Sequence, residues 1–260
     1  MIDHGIEEKK KAFEKLLNIM DELRSKCPWD SIQTKESIRN LTIEEVYELA
    51  DAVLENNYKK IKEELGDVML HLVFYARMAA EENQFDMKDV LDAINAKLIL
   101  RHPHVFGEVK VNDETEVKEN WEQIKLSEGN RSVLAGVPVS LPALVKASRI
   151  QEKVRAVGFD WEDRKQVWDK INEELAELQT EVEKGDRKKI EEEFGDLLFS
   201  VVNAARLYHV DPETALERTN KKFIRRFLYV EQKVRETGKS LKQSSLQEMD
   251  KFWNEAKQQE

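Results

Sequence analysis

Cysteine is almost missing from this chain of 260 residues: Cys27 is the only one. No intrachain disulfide can form, and such a chain suits a reducing compartment, the cytoplasm. Cys27 stands beside Pro28 and Trp29 and reads as a packed small apolar residue. Glycine (9) and proline (5) are also sparse, which fits long helices joined by short turns. No apolar run approaches the ~20 residues needed to span a bilayer, and the polar start, Met1 to Lys11, has no signal-peptide core. No basic stripe is present and the net charge is −10, so neither nucleic acid nor a membrane surface is expected as a partner. The chain also lacks a Walker loop, a GxGxxG and a Ser-His-Asp set, which disfavours P-loop and serine chemistry.

What the chain has instead is acid, arranged twice. Glu44, Glu45, Glu48, Glu64 and Asp67 form an EExxE followed by an ExxD, and each recurs 129 positions later as Glu173, Glu174, Glu177, Glu193 and Asp196. One EExxE in a chain that is 36% charged is usually a solvated face. Both motifs, repeated with the same internal spacing, are hard to obtain from composition alone. At about 100° per residue, Ile61, Leu65, Val68 and Leu72 form an apolar stripe with Glu64 and Asp67 on its flank. Ile171, Leu175, Leu178 and Val182 form another, flanked by Glu174 and Glu177. Two such helices packed antiparallel bring four carboxylates to the edge of a core. Unpaired, they would repel and resist burial; a hard divalent cation with oxygen ligands, Mg²⁺ or Mn²⁺, removes that cost.

Periodicity predicts an all-α chain. Helices are expected over 6–25, 41–56, 58–83, 86–102 and 116–128, with Thr42 as N-cap and Glu45 completing a capping box in the second. The stretch from Val68 to Ala80 is apolar almost all round and calls for burial in a bundle or a dimer interface. Gly66 and Gly195 sit inside their helices at a cost of about 1 kcal/mol each relative to Ala, which suggests close approach of a backbone or ligand. The second half repeats the order over 144–157, 167–184, 188–208, 212–237 and 246–257. The expected division is a helical domain over 1–128, a linker over 129–143 and a second helical domain over 144–260. Lys97 and Arg101 share a helix face, as do Lys222 and Arg226; Trp121 and Lys125 have the spacing of Trp253 and Lys257.

Acids to bind cations, a Lys/Arg pair to neutralise phosphates and a Trp to stack on a base are the parts of a metal-assisted phosphate hydrolase. Two rivals differ in class. A non-catalytic helical regulator would use its acids only for solubility, and the intact five-acid set in both halves argues against it. A ferritin-like di-iron protein expects Glu-x-x-His pairs, which the motif helices lack. His102 and His104, across Pro103, lack the other ligands of a zinc site.

These motifs, together with Cys27-Pro28-Trp29-Asp30, Arg101-His102-Pro103-His104-Val105-Phe106, Trp121-Glu122-Gln123-Ile124-Lys125 and Val157-Gly158-Phe159-Asp160-Trp161, resemble the two-domain MazG nucleoside triphosphate pyrophosphohydrolases. The resemblance covers nearly the whole chain. It implies a tandem repeat of two helical bundles, a homodimer, and Mg²⁺-dependent hydrolysis of nucleoside triphosphates to monophosphate and pyrophosphate. Carried over by position, Glu174, Glu177, Glu193 and Asp196 hold Mg²⁺, with Glu45, Glu48, Glu64 and Asp67 as a second set. Glu173 joins the catalytic acids. Lys170, Glu173, Glu192, Lys222, Arg226 and Trp253 surround the nucleotide, with Lys97, Arg101 and Lys125 as further candidates. The halves differ around the motifs: the second has Lys170 where the first has Leu41, and Glu191-Glu192-Glu193 where the first has Lys62-Glu63-Glu64, so the second is expected to be the main catalytic site.

Overall fold

The computed structural model describes residues 4–111, 113, 116, 117, 120, 121, 124, 132–160 and 164–259. They are helical with no β-strand among them. The chain divides into two compact units, Met1–Val111 and Asn112–Glu260. In the first, α1 (Ile6–Lys26) is followed by a 3₁₀ turn (Asp30–Ile32), α2 (Lys35–Leu54), α3 (Tyr58–Glu81), α4 (Met87–Arg101) and the short α5 (Pro103–Phe106). In the second come α6 (Ala143–Arg155), α7 (Arg164–Lys184), α8 (Arg187–Leu207), α9 (Pro212–Glu236), a 3₁₀ turn (Leu241–Gln243) and α10 (Leu246–Gln258). Of the expected helix over 116–128, Glu116, Trp121 and Ile124 are helical, while Lys125 lies outside the described residues, as does Trp161.

The organising element of each unit is a helical hairpin, α2–α3 in the first and α7–α8 in the second, and these two pairs pack most extensively. The turns correspond. Asn56 and Gly185, 129 positions apart, both take the left-handed conformation, at φ 52° and 74°. Only a residue that tolerates positive φ ends a helix and reverses the chain in so few residues.

Helix α2 begins six residues before the expected start. Its N-cap is Thr34, whose hydroxyl accepts from the Ser37 N–H at 3.2 Å while the Ser37 hydroxyl accepts from the Thr34 N–H at 2.9 Å. The expected cap, Thr42, lies inside the helix, where its hydroxyl bonds the Ile38 carbonyl at 2.9 Å and meets the Tyr75 hydroxyl at 3.0 Å. Both Thr34 and Thr42 present cap chemistry; the first wins because the chain from Lys35 onward has nothing to break a helix.

The core of the first unit joins Met20 from α1, Ile38 from α2 and Val73, Phe74 and Met78 from α3. Arg24 fastens α1 to α3: its Nη2 donates to Glu81 Oε2 at 2.7 Å, and its Nη1 donates to the Gln33 carbonyl at 3.1 Å. In the second unit, Arg206 on α8 clasps the Asp160 carboxylate with two nitrogens, and buried Gln151 on α6 donates to the Phe199 carbonyl at 2.8 Å. Segment 132–142 carries no α-helix; the Val133 carbonyl accepts from Lys153 Nζ at 3.2 Å and the Val139 carbonyl from Lys146 Nζ at 2.6 Å.

Within the first unit, Val73, Phe74, Ala76, Met78 and Ala79 of the Val68–Ala80 stretch are buried, while Met69 and Leu72 are exposed in the single chain. No other atom of the described residues approaches the motif glycines. A methyl group added at Gly66 or Gly195 would meet nothing within 4 Å, and both helices run through unbroken.

Candidate active site

Each hairpin carries its acids on facing surfaces of its two helices. Carboxylate oxygens of Glu174, Glu177 and Glu193 all lie within 4.8 Å of one another, and the same holds for Glu45, Glu48 and Glu64. Asp67 and Asp196 fall outside these two trios and are exposed. Among the described residues, no comparable group contains a histidine or Cys27. The donors suit a hard divalent cation. Ligand oxygens at about 2.1 Å from an ion stand no more than about 4.2 Å apart, so small side-chain adjustments close either trio around one.

The register of α7 differs from the predicted stripe. Leu175 and Val182 are exposed, at 42% and 53%. The line that faces inward is Val167, Ile171, Glu174, Leu178 and Glu181, stepping by four, three, four and three residues. Two glutamates therefore occupy positions that helix periodicity reserves for core residues. On α2 the corresponding line is Ile38, Thr42, Glu45, Leu49 and Ala52, with a single acid. On α3, Leu65 and Leu72 of the predicted stripe are likewise exposed, and His71 is buried.

Half-buried acids crowded by other carboxylates are harder to ionise. Burial, followed by the charges of Glu177, Asp196, Glu174 and Glu181, raises the Glu193 carboxyl above the ordinary range. In the first unit, burial and then Asp67, Glu48 and Glu64 raise Glu45; burial and then Glu48, Asp67 and Glu63 raise Glu64. The second trio has a resident cation beside it. Lys170 Nζ lies 2.8 Å from Oε1 of both Glu173 and Glu174, and these two partners, Glu173 first, hold its ammonium well above its ordinary pKa. Leu41 offers the first trio nothing of the kind.

Other candidate residues gather separately. The Arg226 guanidinium lies over the Trp253 ring, 5.6 Å from its centroid, and Phe223 packs against the same ring at 5.0 Å. This joins α9 to α10 and presents a cation and an indole together. Lys222 is half-buried on the same helix. Glu192 is ion-paired to Lys188 at 3.8 Å on the exposed side of α8. In the first unit Lys97 is exposed and Arg101 half-buried at the end of α4. The motifs do not contain Glu181: its Oε1 pairs with Lys184 at 2.7 Å, while its Oε2 is buried with no hydrogen-bond partner among the described residues. The signal for it is the seven-residue step from Glu174, two turns along one face.

The fold and the two acidic hairpins define an all-α protein built from a duplicated carboxylate-bearing unit. The MazG nucleotide pyrophosphohydrolase domain matches the chain twice, over residues 33–106 and 163–230, each span enclosing one complete hairpin. The Thermotoga maritima nucleoside triphosphate pyrophosphohydrolase/pyrophosphatase MazG is 44% identical over 250 residues, which cover 94% of this chain and 95% of that protein. The nucleoside triphosphate pyrophosphohydrolase of Escherichia coli K12 is 43% identical over 95% of this chain and 97% of its own length. Uncharacterized protein YabN of Bacillus subtilis is 46% identical over 95% of this chain, which spans 52% of YabN. The chain belongs to the MazG family.

Proposed function

We propose that this protein is a nucleoside triphosphate pyrophosphohydrolase, releasing nucleoside monophosphate and pyrophosphate, with the second unit as its main site. The observation that carries this reading is the trio of Glu174, Glu177 and Glu193, oxygens within 4.8 Å of one another, beside Lys170. In this reading the trio, with Asp196, holds Mg²⁺, for which Mn²⁺ can substitute; Glu45, Glu48, Glu64 and Asp67 form the second set. The bound cation supplies charge neutralisation and a more acidic water. The chain's own residues do the rest. Glu174, on the core line of α7, fixes the ligand set to the helix rather than to a loop. Lys170 and exposed Glu173 stand at the rim, where an entering triphosphate meets the ammonium first. Arg226 over Trp253, with Lys222, is suited to hold a phosphate and stack a base. Attack of water at the α-phosphorus forms one P–O bond and breaks the bond to the β-phosphate oxygen, so pyrophosphate leaves.

The protein is read as a cytoplasmic homodimer. No helix among the described residues is long and apolar enough to cross a membrane. Val90, Leu91, Ile94 and Leu98 of α4 are exposed and share one side of the helix, a face that a second copy would cover. The test of function is a panel of nucleoside triphosphates with Mg²⁺, resolving all products. Monophosphate and pyrophosphate are expected; diphosphate and orthophosphate as first products would refute the reading.

A further inference from the structure

We infer that Glu181 is a further cation ligand of the second unit, extending the Glu174–Glu177–Glu193 cluster by one turn of α7 toward the hairpin turn. The inference rests on the reading that this cluster holds a divalent cation.

Three observations carry it. First, Glu181 is 9% exposed, on the same inward line as Glu174. Core positions do not accept a carboxylate without compensation. Second, that compensation is half missing. Lys184 is 58% exposed and engages only Oε1, leaving Oε2 buried with no partner among the described residues. Third, the facing helix offers a second such oxygen: Glu193 Oε2 is also buried with no hydrogen-bond partner among the described residues. Two buried carboxylate oxygens on adjacent helices, each unsatisfied, are what a bound cation resolves. Hard divalent cations take six or more oxygen ligands, so a trio of carboxylates leaves room for another. The first unit has no counterpart. Ala52 stands where Glu181 does, buried at 1%, and the cluster there ends at Glu45, Glu48 and Glu64.

Ala52 also shows that this hairpin position accepts alanine, so Glu181→Ala should fold; Glu181→Gln, which keeps the volume, is the second variant. Both are placed in a full-length chain carrying Glu48→Gln and Glu64→Gln, which silences the first cluster. Mn²⁺ alone, without nucleotide, is titrated and read by electron paramagnetic resonance, and the melting temperature is recorded with and without Mn²⁺. The expected result is Mn²⁺ binding weakened at least tenfold in both variants, with a smaller Mn²⁺-induced rise in melting temperature. Binding within twofold of the parent in both variants would overturn the assignment and leave Glu181 as a partner of Lys184 only. A parent that binds no Mn²⁺ would overturn the metal reading itself, and this inference with it.

Discussion

Lys170 and Glu174 are joined across one turn of α7, Nζ to Oε1 at 2.8 Å, and Glu174 is 5% exposed. A buried carboxylate is tolerated when a cation stands beside it. The ammonium serves that purpose here, and under the proposed reading it would compete with the metal for the same oxygen.

Replacing Lys170 with Leu, the residue at the matching place in the first unit, therefore has two separable effects. Turnover of a nucleoside triphosphate should fall about tenfold or more, ~1.4 kcal/mol of transition-state stabilisation. Mg²⁺ binding, measured by calorimetry without nucleotide, should be unchanged or tighter. Weaker Mg²⁺ binding with full turnover would mean that Lys170 only braces the carboxylates.

The two units should contribute unequally. Glu177→Gln with Asp196→Asn should remove most turnover, on the order of a hundredfold or more, because two of the proposed cation ligands are lost at once. Glu48→Gln with Asp67→Asn should keep most of it. The opposite pattern, with both proteins still folded, would assign the chemistry to the first unit.

Stability without divalent cations should depend on pH in an unusual direction. Glu45, Glu64 and Glu193 have carboxyl pKa values raised above the ordinary glutamate value of about 4.3. The folded chain thus holds these protons more tightly than the unfolded one. The stability they contribute is complete below about pH 4.3 and is lost as the pH rises through the raised values. In a chelator, melting temperatures should show this loss; saturating Mg²⁺ should offset it at neutral pH. A double Glu45→Gln, Glu193→Gln variant should flatten the profile.

The clasp between Arg206 and Asp160 secures the loop after α6 to α8, with side chains only 10% and 20% exposed. Removing Arg206 leaves Asp160 with the longer Arg155 contact, at 3.4 Å, in place of the two-nitrogen clasp. Arg206→Ala should cost about 3 kcal/mol, read as a shift in denaturant midpoint. A change below about 0.5 kcal/mol would place the pair among surface ion pairs of little worth.

How much of this was legible in the sequence depends on which residues carried the signal. The hairpins were, because the 129-residue offset fixes ten acids at once. The inward face of α7 was not. Leu175 and Val182 look like core by residue type, and Glu181 does not, yet burial follows the line set by Val167 and Leu178. Hydropathy picks the wrong line when an acid stands on the right one. Thr34 was passed over because Thr42 is followed at the right distance by Glu45; side-chain chemistry alone does not say which of two caps the chain uses. The Arg206–Asp160 clasp lay beyond reach because its members are 46 residues apart and nothing local pairs them.

A hairpin whose core line contains Glu174 and Glu181 is, in effect, a helix pair with a variable interior. Cations bound there, as proposed, would complete its packing and make its opening rate depend partly on the surrounding medium. Chelation should then speed amide hydrogen exchange along α7 and α8 before it does so along α2 and α3, where Ala52 keeps the corresponding position apolar. Under that reading the second copy of the duplicated unit would lean on the electrolyte for its rigidity more than the first.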